Sequence, residues 1–500
     1  MLSKATFARN NIGSRGSRYH TPSPNTSKLS ALARSLRDML GHTPTDGQER
    51  AINALERLIL SERDQATLVL KGYAGTGKTT LVGALVKVLA NEKRPVVLLA
   101  PTGRAAKVLS GYAHASASTI HRRIYRVAGD DDGGYGGMTV AANKDSTALF
   151  VVDEASMIGQ GGGEGLFGDR DLLSDLFEHV FSGHKCKLLL IGDPAQLPPV
   201  GSDHSPALDI KHLREMGLLA GSVELTDVVR QSEDSGILEN ATALRGILAD
   251  EDPMPQFITG SEDVSRIDGY DLEDALETAY DRDGADEVCV ICRSNKRAYQ
   301  YGQQVRARIY GYEEELCPAD RLMVVKNNYF WAGKNGKNEL IANGEPILVK
   351  QIHGTEERYG LRFMDITVGW WNSTEERELD VKVILDTLST EGPALPGIRM
   401  RELSKAVVAE CGETTKSGRF KFLKQDPYAN ALQVKYAYAV TAHKAQGGQW
   451  NTVFVDQGYV TEEMIDTEYV RWLYTAITRA TQKLYLLNFH PRFWGEVEGD

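Results

Sequence analysis

Gly72-Tyr73-Ala74-Gly75-Thr76-Gly77-Lys78-Thr79 is the stretch that decides how this 500-residue chain is read. An apolar run, Ala66–Leu70, leads into it and a helical pattern opens at Thr79. A strand that ends in a glycine-rich turn and starts a helix offers backbone N–H groups and a positive helix end to phosphate. In a G-x-x-x-x-G-K-[ST] loop the lysine, here Lys78, suits the outer phosphates, and the hydroxyl of Thr79 suits a magnesium ion. Gly75, Thr76, Gly77, Lys78, Thr79 and Thr80 are therefore the candidate phosphate-binding residues, and ATP with Mg2+ is the expected cofactor.

Further along, Leu149-Phe150-Val151-Val152-Asp153-Glu154 is an apolar strand that delivers two acids at its carboxyl end. Asp153, with Thr79, is the candidate magnesium residue. Glu154 is the candidate that orients or deprotonates a water. The next strand, Lys187–Ile191, ends in Gly192-Asp193-Pro194-Ala195-Gln196-Leu197-Pro198-Pro199-Val200, where the Gln196 amide suits the terminal phosphate. A phosphate loop followed at this distance by two carboxylates points to hydrolysis.

Strands at 66–70, 95–100, 148–152 and 187–191 alternate with helices, which predicts a parallel sheet covered on both faces. Ile124–Val127 and Met138–Val140 flank the turn-rich Asp130–Gly137 and predict a β-hairpin. A second parallel sheet is expected from 223–225, 287–292, 436–440, 453–455 and 484–488. It is interrupted over roughly 323–425 by alternating, aromatic segments that read as a small all-β insertion. The expected domains are a flexible basic arm (1–40), a first lobe (41–205, hairpin about 122–148), a second lobe (206–322 with 431–500) and a β-rich insertion (323–430).

Composition limits the function classes. With 57 Lys+Arg against 68 Asp+Glu the net charge is −11 and 42% of residues are hydrophobic, as in ordinary folded proteins. No apolar run reaches the roughly 18 residues of a membrane-spanning helix. The acidic balance argues at first sight against a nucleic-acid partner, but net charge averages over surfaces that a groove need not share. The first 37 residues run the other way: Lys4, Arg9, Arg15, Arg18, Lys28, Arg34 and Arg37, with no acid. This reads as an arm that grazes nucleic acid or, alternatively, as an organelle transit segment. Five scattered cysteines fit a reducing compartment, so the expected location is cytoplasmic, at the nucleoid. Cys289 and Cys292 have C-x-x-C spacing but lie on one strand, facing opposite ways, and read as core residues.

With the Gln196 loop in place, the chain resembles a superfamily 1 helicase of the 5′-to-3′ branch that includes RecD-like and Dda-like enzymes. The resemblance runs from about Thr45 to Ala480. It implies two RecA-like lobes, with the hairpin in the first and an SH3-like insertion in the second. It also implies ATP-driven movement on single-stranded DNA, 5′ to 3′, in replication, recombination or repair. By the same resemblance Gln48, in Thr45-Asp46-Gly47-Gln48, reads the adenine edge. Arg230, in Leu225–Gln231, and Arg479, in Tyr474–Ala480, place guanidinium groups on the terminal phosphate. Thr441-Ala442-His443-Lys444-Ala445-Gln446-Gly447 couples nucleotide state to DNA, although this chain has Ala445 and Gly448 where the family often has hydroxyl residues.

One pattern stands apart from the resemblance. Val96–Arg104 and Val288–Lys296 align over nine residues: a buried strand, then a hydroxyl residue, a small residue and a cation that open a helix. Two such ends predict two grips on a chain of phosphates. The candidate strand-binding residues are Pro101, Thr102, His121, Ser294, Asn295, Thr441 and His443. Tyr135 or Met138 at the hairpin is a candidate separation pin. Tyr329, Phe330, Trp331, Trp370 and Trp371 are expected mainly in the insertion's core, and Lys416–Lys424 as a solvated charged face or strand contact. The expected partners are single-stranded DNA, duplex/single-strand junctions and replication or repair proteins, with the chain a monomer. An RNA-directed remodeler and an ATP-gated strand-binding module are the alternative readings.

Overall fold

The computed structural model describes residues 26–127, 138–159, 171–229, 235–250, 253–332, 340–371 and 376–495. Helix α1 (Thr26–Leu40) buries Leu32, Ala33, Leu36 and Leu40, spaced to form one helical face, in the same core as the later Leu81 and Leu85. Residues 26–40 thus belong to the first lobe and not to a flexible arm, and Arg37 is ion-paired with Glu49. The rest of the expected arm, 1–25, lies outside the described residues. Helix α2 (Asp46–Ile59) starts from a reciprocal cap: the Thr45 hydroxyl accepts from the Gln48 N–H at 3.2 Å, and Gln48 Oε1 accepts from the Thr45 N–H at 3.1 Å.

Strand β1 (Ala66–Gly72) runs into the phosphate loop and α3 (Lys78–Asn91). Then come β2 (Val96–Ala100), α4 (Gly103–Ala113), β3 (Ala117–Thr119) and α5 (Ile120–Ile124). Strands β4 (Tyr125–Val127) and β5 (Met138–Val140) pair antiparallel as the expected hairpin. Its tip, with Tyr135, lies outside the described residues. The lobe ends with β6 (Leu149–Val152), α6 (Leu172–Ser182), β7 (Lys187–Gly192), α7 (Ile210–Glu215) and β8 (Leu219–Leu225). Six parallel strands form one sheet in the order β3-β2-β6-β7-β1-β8. Here the structure departs from expectation: Val223–Leu225 belongs to β8, which pairs with β1 from Ala66↔Leu219 to Gly72↔Leu225. The first lobe therefore extends past 205 to the end of β8. A short apolar run announces a strand but not the neighbour it joins.

The second lobe contains α8 (Gly236–Gly246), β9 (Val264–Ile267), α9 (Leu272–Asp283), β10 (Val288–Cys292) and α10 (Asn295–Gln304). The chain then leaves for β11 (Arg321–Val324), β12 (Pro346–Arg358), β13 (Leu361–Trp371) and β14 (Glu376–Ile384). After α11 (Asp386–Ser389), α12 (Gly397–Ala409) and α13 (Lys416–Gln425) it returns along β15 (Leu432–Tyr436). Strands β11 to β15 close into a barrel. The insertion is thus a barrel carrying helices, not all-β, and the charged run from Lys416 is helix α13, whose mixed Lys and Phe show no clean helical period. Trp331 and Trp370 are buried in the barrel core, as expected, whereas Trp371 is 48% exposed.

The lobe is completed by β16 (Ala439–Thr441), α14 (Ala442–Ala445), β17 (Trp450–Asp456), α15 (Thr467–Ile477) and β18 (Ala480–Leu487). Its parallel sheet has the order β16-β10-β17-β18-β9. The single strand expected over 436–440 is split: Tyr436 closes the barrel and Ala439 opens β16. Cys289 and Cys292 are free and buried, and burial pushes both thiols up to about 12. Among the described residues no group of three or more His, Cys, Asp and Glu is arranged to hold a metal, and no helix is long and apolar enough to cross a membrane.

Candidate nucleotide cleft and strand track

Strands β6, β7 and β1 are neighbours, so their carboxyl ends bring together three loops far apart in sequence: the phosphate loop, Asp153-Glu154 and Asp193–Gln196. Ligands of open parallel sheets bind at such ends. Gly77 caps α3 with φ +81°, a conformation side chains rarely adopt, and a Cβ there would collide with the Gln48 amide. Gln48 itself is buried, with its Nε2 3.5 Å from the Thr76 carbonyl. Lys78 Nζ donates to the carbonyls of Gly72 (2.6 Å) and Tyr73 (2.8 Å) and lies 4.0 Å from Asp193.

Asp153 Oδ1 accepts from the Glu154 N–H at 2.9 Å, and Oδ2 accepts from the Tyr112 hydroxyl. Glu154 sits in the left-handed region at φ +51°, uncommon for a side-chain-bearing residue and frequent at functional sites. Burial pushes its carboxyl up to about 7, against the pull of Arg479 and Lys78, with Asp153 and Asp193 adding to the rise. Gln196 is buried, and its Oε1 has no hydrogen-bond partner among the described residues. That leaves an acceptor available to a ligand or water.

The second lobe closes this cleft through α15. Tyr474 donates its hydroxyl to Asp193 Oδ2 at 2.7 Å and accepts from the Ala74 N–H at 2.9 Å. Arg471, one turn earlier on the same face, donates to the carbonyls of Pro194 (2.7 Å) and Gln196 (3.2 Å). Thr475 Oγ1 accepts from the Leu197 N–H at 2.9 Å, and Gln446 donates to the Leu197 carbonyl at 2.6 Å. Arg479 is buried, bonded to the Thr475 and Gly448 carbonyls, with Nη1 3.8 Å from Glu154 Oε1. Lys78, Asp153, Glu154, Gln196 and Arg479 thus share one cleft. Arg230 lies outside the described residues.

The strand candidates form two groups. Pro101 and Thr102 follow β2, and His121 follows the neighbouring β3, whose Thr119 pairs with Ala100. Ser294 and Asn295 follow β10, and Thr441 ends the neighbouring β16, paired with Cys292. Thr102 and Ser294 are equivalent: each caps its helix, the first accepting from Ala105 N–H and the second from Arg297 N–H, both at 3.2 Å. Each hydroxyl keeps its own proton to donate outward. The cations of the two ends differ, however. Lys296 is exposed and paired with Glu391, whereas Arg104 is turned onto the Trp450 ring. Burial lowers His121 to about 4 and also lowers His443, so His121 is neutral at working pH.

Two family models cover most of this machinery: one described as an AAA domain matches 44–253, and a UvrD-like helicase C-terminal domain matches 436–487. The chain is 26% identical over 471 residues to the ATP-dependent RecD2 DNA helicase of Deinococcus radiodurans, covering 91% of this chain and 53% of that one. It is 23% identical over 474 residues to the ATP-dependent DNA helicase dda of Enterobacteria phage T4, covering 88% of this chain and 98% of that one. By these matches the chain is similar to the RecD- and Dda-type helicases of superfamily 1. It spans about half the length of RecD2. Pif1 helicase from Bacteroides, solved with ADP-AlF3 and single-stranded DNA, aligns over 90% of this chain and 93% of its own, with TM-score 0.45 and 16% identity.

The residues that sequence reasoning passed over include those joining the lobes. Arg471 and Tyr474 share a helix face three residues apart, a signal visible in sequence once α15 is placed. Tyr112 on α4, whose hydroxyl fixes Asp153 within the first lobe, carries none, because its partner lies in the loop after β6, far away in sequence.

Proposed function

We propose that the chain is an ATP-driven DNA helicase that tracks along a single strand 5′ to 3′ and opens duplexes at single-strand junctions. The observation that carries the reading is the shared cleft: Lys78, Asp153 and Glu154 from one lobe face Arg479 from the other, and a second set of strand-end hydroxyls, Thr102 and Ser294, lies outside it. ATP supplies the anion for the loop. Its outer phosphates replace the Gly72 and Tyr73 carbonyls as partners of Lys78, and Gln48 gives its amide to the base. The Thr79 hydroxyl and the Asp153 carboxylate are hard oxygen donors, as Mg2+ prefers, and two residues leave room for the waters this ion retains. Bound there, Mg2+ neutralises phosphate charge. Glu154 takes the proton of the attacking water, Gln196 Oε1 helps to hold that water, and Arg479 with Arg230 meets charge on the transferred phosphoryl group.

Lobe contacts around this chemistry turn hydrolysis into movement. The strand lies across Thr102 and His121 on the first lobe and Ser294, Asn295, Thr441 and His443 on the second. Bond-making at the Asp193–Leu197 loop changes the distance between the two grips. The β4–β5 hairpin is the proposed separation element, and replication or repair proteins are the proposed partners of a monomeric motor. The test is ATP hydrolysis with and without single-stranded DNA, with matched RNA alongside. DNA-specific stimulation supports this reading, equal stimulation by RNA favours a remodeler, and strand binding without displacement favours an ATP-gated clamp.

A further inference from the structure

Arg104 lies in the first turn of α4, two residues after the Thr102 cap, where a cation toward a phosphate is expected. Its guanidinium carbon instead lies 3.6 Å from the centroid of the Trp450 ring, across the boundary between the lobes. Trp450 is buried and Arg104 partly so, and at this distance a guanidinium and an indole face attract through the ring quadrupole. Burial lowers the arginine's pKa, yet the group stays charged at any working pH.

The chain is shaped to allow this contact. A Cβ on Gly448 would lie 2.8 Å from Arg104 Nε and 2.7 Å from the Trp450 ring. A Cβ on Gly447, which has φ +71°, would lie 2.5 Å from that of Ala105. Only two glycines let the second lobe's turn rest on the first turn of α4. This accounts for Gly448 where the family often has a hydroxyl residue: a side chain there takes the space of the guanidinium.

The same turn touches the chemistry. The Gly448 carbonyl accepts from Arg479 Nη1 at 3.3 Å, and the Trp450 N–H donates to the Arg479 carbonyl at 3.0 Å. A Cβ on Gly447 would be 3.5 Å from Glu154 Cγ. A continuous line of contacts therefore runs from Thr102, a strand grip, through Arg104, Trp450 and Gly448 to Arg479 and Glu154. We propose that Arg104, seated on Trp450, is a positioning residue that transmits strand occupancy at Thr102 to the Arg479–Glu154 pair. This rests on the helicase reading above. Arg104 acts on hydrolysis through the second lobe and does not itself contact ATP.

The experiment measures ATP hydrolysis with and without oligo(dT), and oligo(dT) binding, for the parent, Arg104→Met, Gly448→Ser and Trp450→Phe. In Arg104→Met, unstimulated hydrolysis and oligo(dT) affinity stay within about threefold, while stimulation by DNA falls about tenfold, a mid-range loss for coupling between sites. Gly448→Ser, which evicts the guanidinium without removing it, loses stimulation by DNA to a similar extent; its unstimulated rate is not a criterion, because the Gly448 carbonyl holds Arg479. Trp450→Phe keeps an aromatic face and retains most of the stimulation. Undiminished stimulation in Arg104→Met overturns the proposal. So does a fall in oligo(dT) binding that matches the fall in stimulation, because Arg104 would then be a direct phosphate contact. A parent chain that hydrolyses ATP without any response to DNA removes the helicase reading itself, and the proposal with it, before any variant is compared.

Discussion

Removing one oxygen from the lobe interface, Tyr474→Phe, tests whether the cleft is completed by the second lobe. The hydroxyl is a junction: it donates to the buried Asp193 carboxylate at 2.7 Å and accepts from the phosphate-loop N–H of Ala74 at 2.9 Å. Burial beside Asp193 raises the phenol's pKa well above its usual value, so it remains a donor at any working pH. Phenylalanine keeps the ring in the same apolar cluster and adds no cavity. A hydrogen bond to a charged group contributes about 1.5–3 kcal/mol, and a buried donor left unmet costs about 1–3 kcal/mol. The two effects are not simply additive, so about 2 kcal/mol is a cautious figure for the loss in lobe closure, or roughly 30-fold in a closing equilibrium. The assay is DNA-stimulated ATP hydrolysis at saturating ATP, with thermal melting as control. We expect kcat to fall roughly 10- to 30-fold with little change in Tm, since both lobe cores are untouched. A kcat within about twofold of the parent would refute the reasoning, as would a collapse in Tm, which would make the bond one of folding and not of closure.

Other consequences are equally concrete. Lys78→Ala should abolish hydrolysis while leaving oligo(dT) binding largely intact, checked by fluorescence anisotropy; loss of both together contradicts separate sites. Glu154→Gln should bind ATP normally and lower kcat by about 10²- to 10⁴-fold, the usual contribution of a positioned base. Glu345 offers a pH test away from the cleft. It is buried between Arg122 (3.3 Å) and the Trp370 N–H (2.6 Å), and burial pushes its carboxyl up to about 7. A carboxyl raised on folding contributes stability below its unfolded pKa that is lost as pH rises through the folded value. The melting temperature of the parent relative to Glu345→Gln should therefore fall between about pH 5 and pH 8. A constant difference across that range would show the carboxyl titrating normally.

How far the sequence could be read depended on where the information sits. The phosphate loop and the Asp153-Glu154 strand end were legible because their chemistry is written in consecutive residues. The two capped strand ends were legible because Thr102 and Ser294 act locally, on the N–H three residues on. Partners fixed only by tertiary packing were not. Val223–Leu225 reads as a strand in either lobe, and only its pairing with β1 places it in the first. Arg104 and Lys296 occupy the same position in aligned segments, yet one meets an indole and the other a carboxylate. Sequence shows which residues start a helix; it does not show what the opposite lobe brings against them. The net charge of −11 proved to say nothing about the cleft, where Lys78, Arg471 and Arg479 gather.

The central claim, a motor that moves 5′ to 3′ along one DNA strand, is tested most directly by unwinding. Duplexes with a 5′ or a 3′ single-stranded tail are mixed with the protein, ATP and Mg2+, and strand release is followed by fluorescence, with Lys78→Ala as control. The account predicts release from the 5′-tailed duplex alone and none with the variant. Release from the 3′-tailed duplex alone would contradict the direction, and ATP hydrolysis with no release from either would contradict the motor.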